Sequence, residues 1–229
     1  MKIGVIVPME QEIKLFKESM EAVQSEIIAG VEFTHGTYAD HQVILAQSGI
    51  GKVQAGMTAT ILNEKYQPDL IVNTGSAGGI GEELKIGDIV ISEKLAYHDV
   101  DVTQSGYKMG QLPGSPLYFD ADTFYVNEIR IAAEKTDLNY HVGLIVSGDQ
   151  FIDDKAKIAT IKKDFPDALA SEMEGAAVAQ VCTQFKTPFV VIRAMSDVGD
   201  ENANVNFDEF VVQAGQKSVQ MLLNFLDRE

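Results

Sequence analysis

At 229 residues and 45% hydrophobic content, the chain can bury one sizeable core, and a single domain over 1–229 is the expectation. A formal charge of -16 repels phosphate backbones and anionic lipid surfaces, so nucleic acid and membranes are disfavoured as partners. Cys182 is the only cysteine, which rules out an internal disulfide and leaves no cysteine cluster for zinc or iron; no metal is expected.

The opening run Lys2 to Pro8 is β-branched and closed by proline, which predicts a first strand. Its apolar stretch is too short before the acids of MKIGVIVPMEQE to act as a secretory core or a membrane span, and a cytoplasmic setting is expected. Helical spacing follows from Gln11 to Val23, then a strand over Gln42 to Ser48 and a helix over Lys52 to Tyr66. Strands are predicted at Asp69 to Gly75 and Asp88 to Glu93. The segment Tyr97 to Ala121 carries Gly106, Gly110, Pro113, Gly114 and Pro116 and is expected to be irregular; a loop this long is functional or sits in an interface. A helix over Thr123 to Lys135, a strand over Val142 to Gly148 and a helix over Asp154 to Phe165 come next. The junction ALASEMEGAA leads from strand to helix over Glu174 to Phe185, followed by a strand over Pro188 to Met195 and a helix over Asn206 to Leu226. Strands alternating with helices predict an α/β fold, a three-layer α/β/α sandwich around a central mixed sheet.

Two glycine segments invite a ligand. SGIGKVQAG resembles a phosphate loop, yet Ala46 and Val53 stand where a P-loop needs Gly and Ser or Thr, and Gln54 stands where a dinucleotide loop needs Gly. What remains is a turn that lets backbone approach a ligand or a neighbouring helix. NTGSAGGIGEELKIGD leads from strand to strand with no helix between, which excludes a Rossmann unit. The small residues Ser76, Ala77, Gly78 and Gly79 would let backbone approach a flat ligand at the carboxyl edge of the sheet; a tight turn without ligand fits this segment equally well.

Four acidic residues, at three sites in the chain, are out of place for solvated charge. Glu12 follows the first strand, Asp197 ends the apolar run PFVVIRAMSD beside Ser196, and Glu172 and Glu174 flank Met173. Each alone could serve a helix end. Together they send carboxylates from three strands to one rim, and cutting a glycosidic bond calls for an acid on the leaving group and a base for water.

The segments MEQE, QSGIGKV, NTGSAGG, GDIVIS, YHDVDVT, GQLPG, GLIVSGDQFI, SEMEGAA, PFVVIRAMSD and NFDEF, in this order, closely resemble the bacterial 5′-methylthioadenosine/S-adenosylhomocysteine nucleosidases, within the nucleoside phosphorylase and hydrolase superfamily. The resemblance runs essentially end to end and implies a nucleoside phosphorylase-like fold, a homodimer, an adenine nucleoside as substrate and no cofactor. It implies Glu12 as the base that activates water and Asp197 as the acid at purine N7. It implies Glu174 on the ribose hydroxyls, where two acceptor oxygens meet two vicinal donors. Ser76 and Arg193 would hold the water and Glu174, and Phe151 would stack on adenine while Ile152 backbone reads its edge. Met9, Ile50, Val102, Met173 and Phe207 would form the apolar 5′-thioether pocket, with Pro113 reaching into a partner's site. One departure is Gln104-Ser105-Gly106, where the family commonly carries a Phe that helps close that pocket.

By the same resemblance, phosphorylases of the superfamily hold phosphate with arginines placed in segments that here read PMEQEIK and LIVNTGSAGG, without Arg. A phosphate would find no guanidinium fork and would face Glu12, so water is the expected nucleophile. The alternatives are a futalosine-type nucleosidase and, further off, a purine nucleoside phosphorylase.

Overall fold

The computed structural model describes residues 1–198 and 203–228, and the side chains at 11, 12, 15 and 203–209 lie outside the described part. In chain order the elements are β1 Lys2–Val7, α1 Glu10–Ser19, β2 Glu21–Ile28, β3 Val31–Tyr38, β4 His41–Gln47 and α2 Lys52–Ile61. They continue with β5 Leu70–Gly79, β6 Ile89–Tyr97, β7 Phe119–Asp120, α3 Thr123–Ala133, β8 Tyr140–Ser147 and α4 Lys155–Asp164. The chain closes with β9 Ala168–Glu172, α5 Gly175–Phe185, β10 Phe189–Asp197 and α6 Ala203–Leu226.

All strands share one mixed sheet of ten strands. Part of it closes on itself: β5 pairs with β10, β10 with β6, β6 with β8, β8 with β9, and β9 returns to β5. The rest leaves β5 as an open wing in the order β1, β4, β3, β2. Helices α1 and α3 pack on α6 and helix α2 on α5, and both groups cover the sheet, giving the mixed α/β architecture that the strand and helix alternation predicts.

Burial explains which segments became strands. All nine residues of β10 are buried, as are five of the six in β1, so these central strands need near-continuous apolar sequence. Gly4 keeps β1 tight, because a Cβ there would lie 3.3 Å from both Ile71 and Leu62. The wing differs. Strand β2 is exposed at Glu21–Ser25 and shows little apolar alternation, so the helical reading of Gln11 to Val23 overran it: α1 stops at Ser19 and the β2–β3 hairpin follows, a hairpin the sequence reading lacked. Its two-residue turn is Ala29–Gly30, with φ of 51° and 80°, a left-handed turn that matches the twist of a hairpin without the usual Asn-Gly signal.

The helix expected over Lys52 to Tyr66 is α-helical to Ile61 and then widens into a π-helical turn over Leu62–Tyr66. Strands β5, β6 and β10 each run two to four residues further than their sequence boundaries, to Gly79, Tyr97 and Asp197, and these extensions carry the small residues and the acid to the sheet edge. The segment expected to be irregular, Tyr97 to Ala121, is so apart from the end of β6 at Tyr97, a short 3-10 turn at Thr103–Ser105 and the two-residue strand β7 at Phe119–Asp120, which pairs with β6. Its Met109, Leu117 and Tyr118 pack on the small core cluster around Phe165 and Ile161. Cys182 is buried in α5, where burial pushes its thiol up to about 12, so the group is packing rather than a nucleophile. Among the described residues no helix is long and apolar enough to cross a membrane.

Candidate active site

Strand β5 is bonded to β1 from Leu70 to Asn73 and to β9 at Gly78 and Gly79. Beyond Asn73 it parts from β1, and the gap between the two strands opens at their carboxyl ends, where sheets of this kind take ligands. A cavity of about 220 Å³ fills this gap. Its wall is built by Pro8 and Met9 after β1, Ile50 after β4, Ser76, Ala77 and Gly78 of β5, and Gln150, Phe151 and Ile152 after β8. Ser171, Glu172, Met173 and Glu174 from the end of β9, with Ser196 and Asp197 from the end of β10, complete it. Ile50, 56% exposed, and Phe151, 37% exposed, stand at its mouth.

Asp197 is 1% exposed and reaches the cavity through an irregularity in the β10–β5 ladder, where Met195 pairs with Ala77 but Asp197 with Gly78. The extra residue is Ser196, and such a bulge re-aims the side chain that follows it. The Ser196 hydroxyl lies 3.0 Å from Asp197 Oδ2 and 3.3 Å from the Ala77 carbonyl oxygen, which fixes the carboxyl group. A Cβ on residue 78 would come within 3.0 Å of Asp197 Oδ1, so glycine there makes room for the acid.

Glu172 and Glu174 are both buried, yet they are spent differently. Glu172 Oε1 accepts the Ser147 hydroxyl, and its Oε2 accepts the Arg193 guanidinium and the amides of Glu174 at 3.1 Å and Gly175 at 2.8 Å. Its oxygens are therefore engaged by the N-terminus of α5 and by Arg193, a carboxylate placed where the helix dipole favours it. Glu174 Oε1 accepts the Gly51 amide at 2.9 Å, and its Oε2 lies 3.4 Å from Arg193 Nη2. Arg193, 0% exposed, also donates from Nη2 to Asn73 Oδ1 at 2.7 Å, so one buried cation holds two carboxylates and an amide.

The two lips of the mouth are tied together. Lys52 Nζ lies 2.6 Å from Asp99 Oδ2, which also accepts the Asp149 amide at 2.9 Å, and the Lys52 amide donates to Asp149 Oδ1 at 2.9 Å. Burial pushes the Asp99 carboxyl up, but the Lys52 and Asp149 hydrogen bonds and the Lys52 charge outweigh it and hold the group below its ordinary range. His98 beside it is held down by burial against the opposing pull of Asp99 and Glu172, so it is neutral near pH 7.

Of the residues singled out in the sequence, Met9, Ile50, Ser76, Ala77, Gly78, Phe151, Ile152, Glu172, Met173, Glu174, Ser196 and Asp197 meet in this one cavity. Arg193 stands behind it on Glu172 and Glu174. Val102 and the exposed Pro113 do not line it within the single chain, nor does Ser105. Glu12 belongs to the first turns of α1, just past Met9, while its side chain and that of Phe207 lie outside the described residues. Pro8, Gln150 and Ser171 also line the cavity and Asn73 and Ser147 support it, none of which the sequence reading picked out. Asn73 had a signal, a polar residue inside the apolar run LIVN, since a buried amide must find partners.

The model of the phosphorylase superfamily matches residues 2–227. The 5′-methylthioadenosine/S-adenosylhomocysteine nucleosidase of Bacillus cereus strain G9842 is 47% identical over 99% of both chains. This chain belongs to that nucleosidase family. The Neisseria meningitidis nucleosidase, solved with methylthio-immucillin-A, superposes at a TM-score of 0.98 with 42% identity, covering 100% of this chain and 99% of its own. A futalosine hydrolase mutant of Helicobacter pylori shares the fold at a TM-score of 0.95 but only 31% identity, covering 100% and 99%. The nucleosidase family, rather than the superfamily alone, is thus where this cavity and its carboxylates sit.

Proposed function

We propose that this chain hydrolyses the N-glycosidic bond of 5′-methylthioadenosine and S-adenosylhomocysteine, releasing adenine and the 5-thio-substituted ribose, with 5′-deoxyadenosine as a further substrate. The activity belongs to methionine salvage and to the clearance of by-products of S-adenosylmethionine. The observation that carries this reading is the cavity itself, in which a bulge-aimed acid, Asp197, and a buried carboxylate, Glu174, share one wall with apolar Met9, Met173, Phe151 and Ile50.

Asp197 gives a proton to purine N7, so that adenine leaves as a neutral base, and the Ser196 hydroxyl keeps the carboxyl aimed. Glu174 accepts the two ribose hydroxyls, and Phe151 at the mouth covers the base while Ile152 backbone reads its edge. Glu12, carried by α1 past the cavity-lining Met9, deprotonates water for attack on the anomeric carbon. The bond to the purine breaks ahead of full bond formation to water, and the positive charge that develops on the ribose is stabilised by the surrounding carboxylates. Met9 and Met173 offer polarizable sulfur to the thioether.

Water is the nucleophile because no guanidinium is left for phosphate. The chain has arginine at 130, 193 and 228 only: Arg130 pairs with Glu134, Arg228 with Glu128, and Arg193 is enclosed by Glu172, Glu174 and Asn73. We further propose a cytoplasmic homodimer in which Pro113 and Val102, outside this cavity in one chain, serve the partner's 5′ pocket. Incubating the purified protein with methylthioadenosine in phosphate-free buffer tests the reading. Free adenine and methylthioribose are expected; release that requires phosphate, or turnover of a futalosine-type nucleoside alone, would replace the reading with one of its rivals.

A further inference from the structure

Asn73 sits at the point where the β1–β5 ladder ends, opposite Ile6, and is wholly buried. Its amide is used at both ends: Nδ2 donates to the Ile6 carbonyl at 3.0 Å, and Oδ1 accepts from Arg193 Nη2 at 2.7 Å. Arg193 in turn holds Glu172 and Glu174. On the other side, Ile6 is followed by Val7, then by Pro8 and Met9 in the cavity wall, then by α1 with Glu12.

We propose that Asn73 is a positioning residue that couples the two halves of the site, the β1 exit that delivers Glu12 and the Arg193–Glu174 pair that takes the ribose. The inference rests on the hydrolase reading given above. The physical argument is that β5 must part from β1 at this residue to open the cavity, so the backbone ladder can no longer hold the two strands in register. A side chain that spans the fork replaces the missing ladder bond. Because the same amide carries the guanidinium, a shift of β1 is felt at Glu174, and a shift of Glu174 is felt at the base. Asparagine suits the place since its amide presents N–H donors at one end and a carbonyl acceptor at the other without charge. Apolar residues of similar size would leave the Ile6 carbonyl and an Arg193 N–H without these partners in a dry interior.

The test is a double-mutant cycle on methylthioadenosine hydrolysis, combining Asn73→Ala with Glu174→Gln. Adenine release by the wild-type protein is the control for the hydrolase reading, so its absence would sink that reading and not the coupling. Asn73→Ala alone is expected to lower kcat/KM by about 10- to 100-fold, the scale set by a sub-ångström to ångström displacement of reacting groups. In the Glu174→Gln background the same change is expected to cost at least about threefold less than in the wild-type background, because the part of its effect that runs through Arg193 is already lost and only the part through Ile6 remains. Asn73→Asp, close in volume, keeps the acceptor towards Arg193 and loses the donor towards Ile6, and is expected to lower kcat with KM held near wild type. Melting temperatures of all variants separate lost fold from lost alignment. Equal losses in both backgrounds for Asn73→Ala, or wild-type kcat in Asn73→Asp, would overturn the proposal.

Discussion

The closed part of the sheet and its open wing handle charge in opposite ways. In the closed part, Arg193, Glu172, Glu174 and Asp197 are buried and each is held by hydrogen bonds from the protein: Glu172 from Ser147, Arg193 and two amides, Glu174 from the Gly51 amide and Arg193, and Asp197 from Ser196. In the wing, Lys17–Glu32 and Lys65–Glu26 are pairs in which each side chain keeps about a third or more of its surface exposed. A charge taken out of water must be met by partners, so each buried group becomes conditional on the others, whereas solvent backs up an exposed one. The site can hold three carboxylates together only because the closed strands supply a cation, an amide and a helix end within reach.

The strongest way to break this contrast is to remove the cation. Arg193→Met should leave Glu172 and Glu174 buried without their counter-charge and destabilise the protein by about 3–5 kcal/mol, read as a drop in the denaturant midpoint with loss of adenine release. A variant that melts like wild type would show that water or backbone already carries these carboxylates.

Next in size are the chemical groups. On the proposed mechanism, Asp197→Asn and Glu12→Gln are each expected to lower kcat by roughly 10²-fold or more while methylthioadenosine still binds, because each would remove a proton transfer and leave a side chain of the same size. Kinetics and ligand titration check the pair. If Glu12→Gln turned over normally, the base would have to be sought among other groups at the β1 exit.

A smaller effect belongs to the tie between the lips of the mouth. Asp99 is held below the ordinary carboxylate range, so its contribution to stability is present above the unfolded value of about 3.9 and is lost as pH falls through the lower, folded value. The melting-temperature gap between wild type and Asp99→Asn should be constant above about pH 5 and shrink only below about pH 4. A gap that closes already between pH 7 and 5 would mean that His98, and not Asp99, governs the loop.

Much of the closed part could be read from the chain, and the reasons are local. PFVVIRAMSD is apolar enough to demand burial on both faces, and the acid at its end had to emerge at the strand's carboxyl edge. SEMEG likewise places two acids where a helix begins. What stayed hidden was non-local. That Glu172 would be consumed by Ser147, Arg193 and the start of α5 follows from which strands become neighbours, and no spacing in the sequence encodes it. The ring closure through β9 and β5 rests on two residue pairs, Gly78–Ser171 and Gly79–Ala170, too few to leave a pattern. Strand β2 was missed for the opposite reason: an exposed edge strand does not need the alternation by which strands are recognised.

The β2–β3 hairpin also yields the smallest expected effect, and it tests the wing on its own terms. Ala29 holds a φ of 51° at the first position of the two-residue turn, where an alanine Cβ crowds the following carbonyl oxygen. Asparagine tolerates this region and is favoured at that position, so Ala29→Asn should raise stability by about 0.5–1 kcal/mol through the turn alone. Adenine release should be unchanged, since no cavity residue lies on β2 or β3. A matched gain in stability with altered kcat would mean that the wing is mechanically linked to the site, and the division between a conditional interior and an independent edge would have to be redrawn.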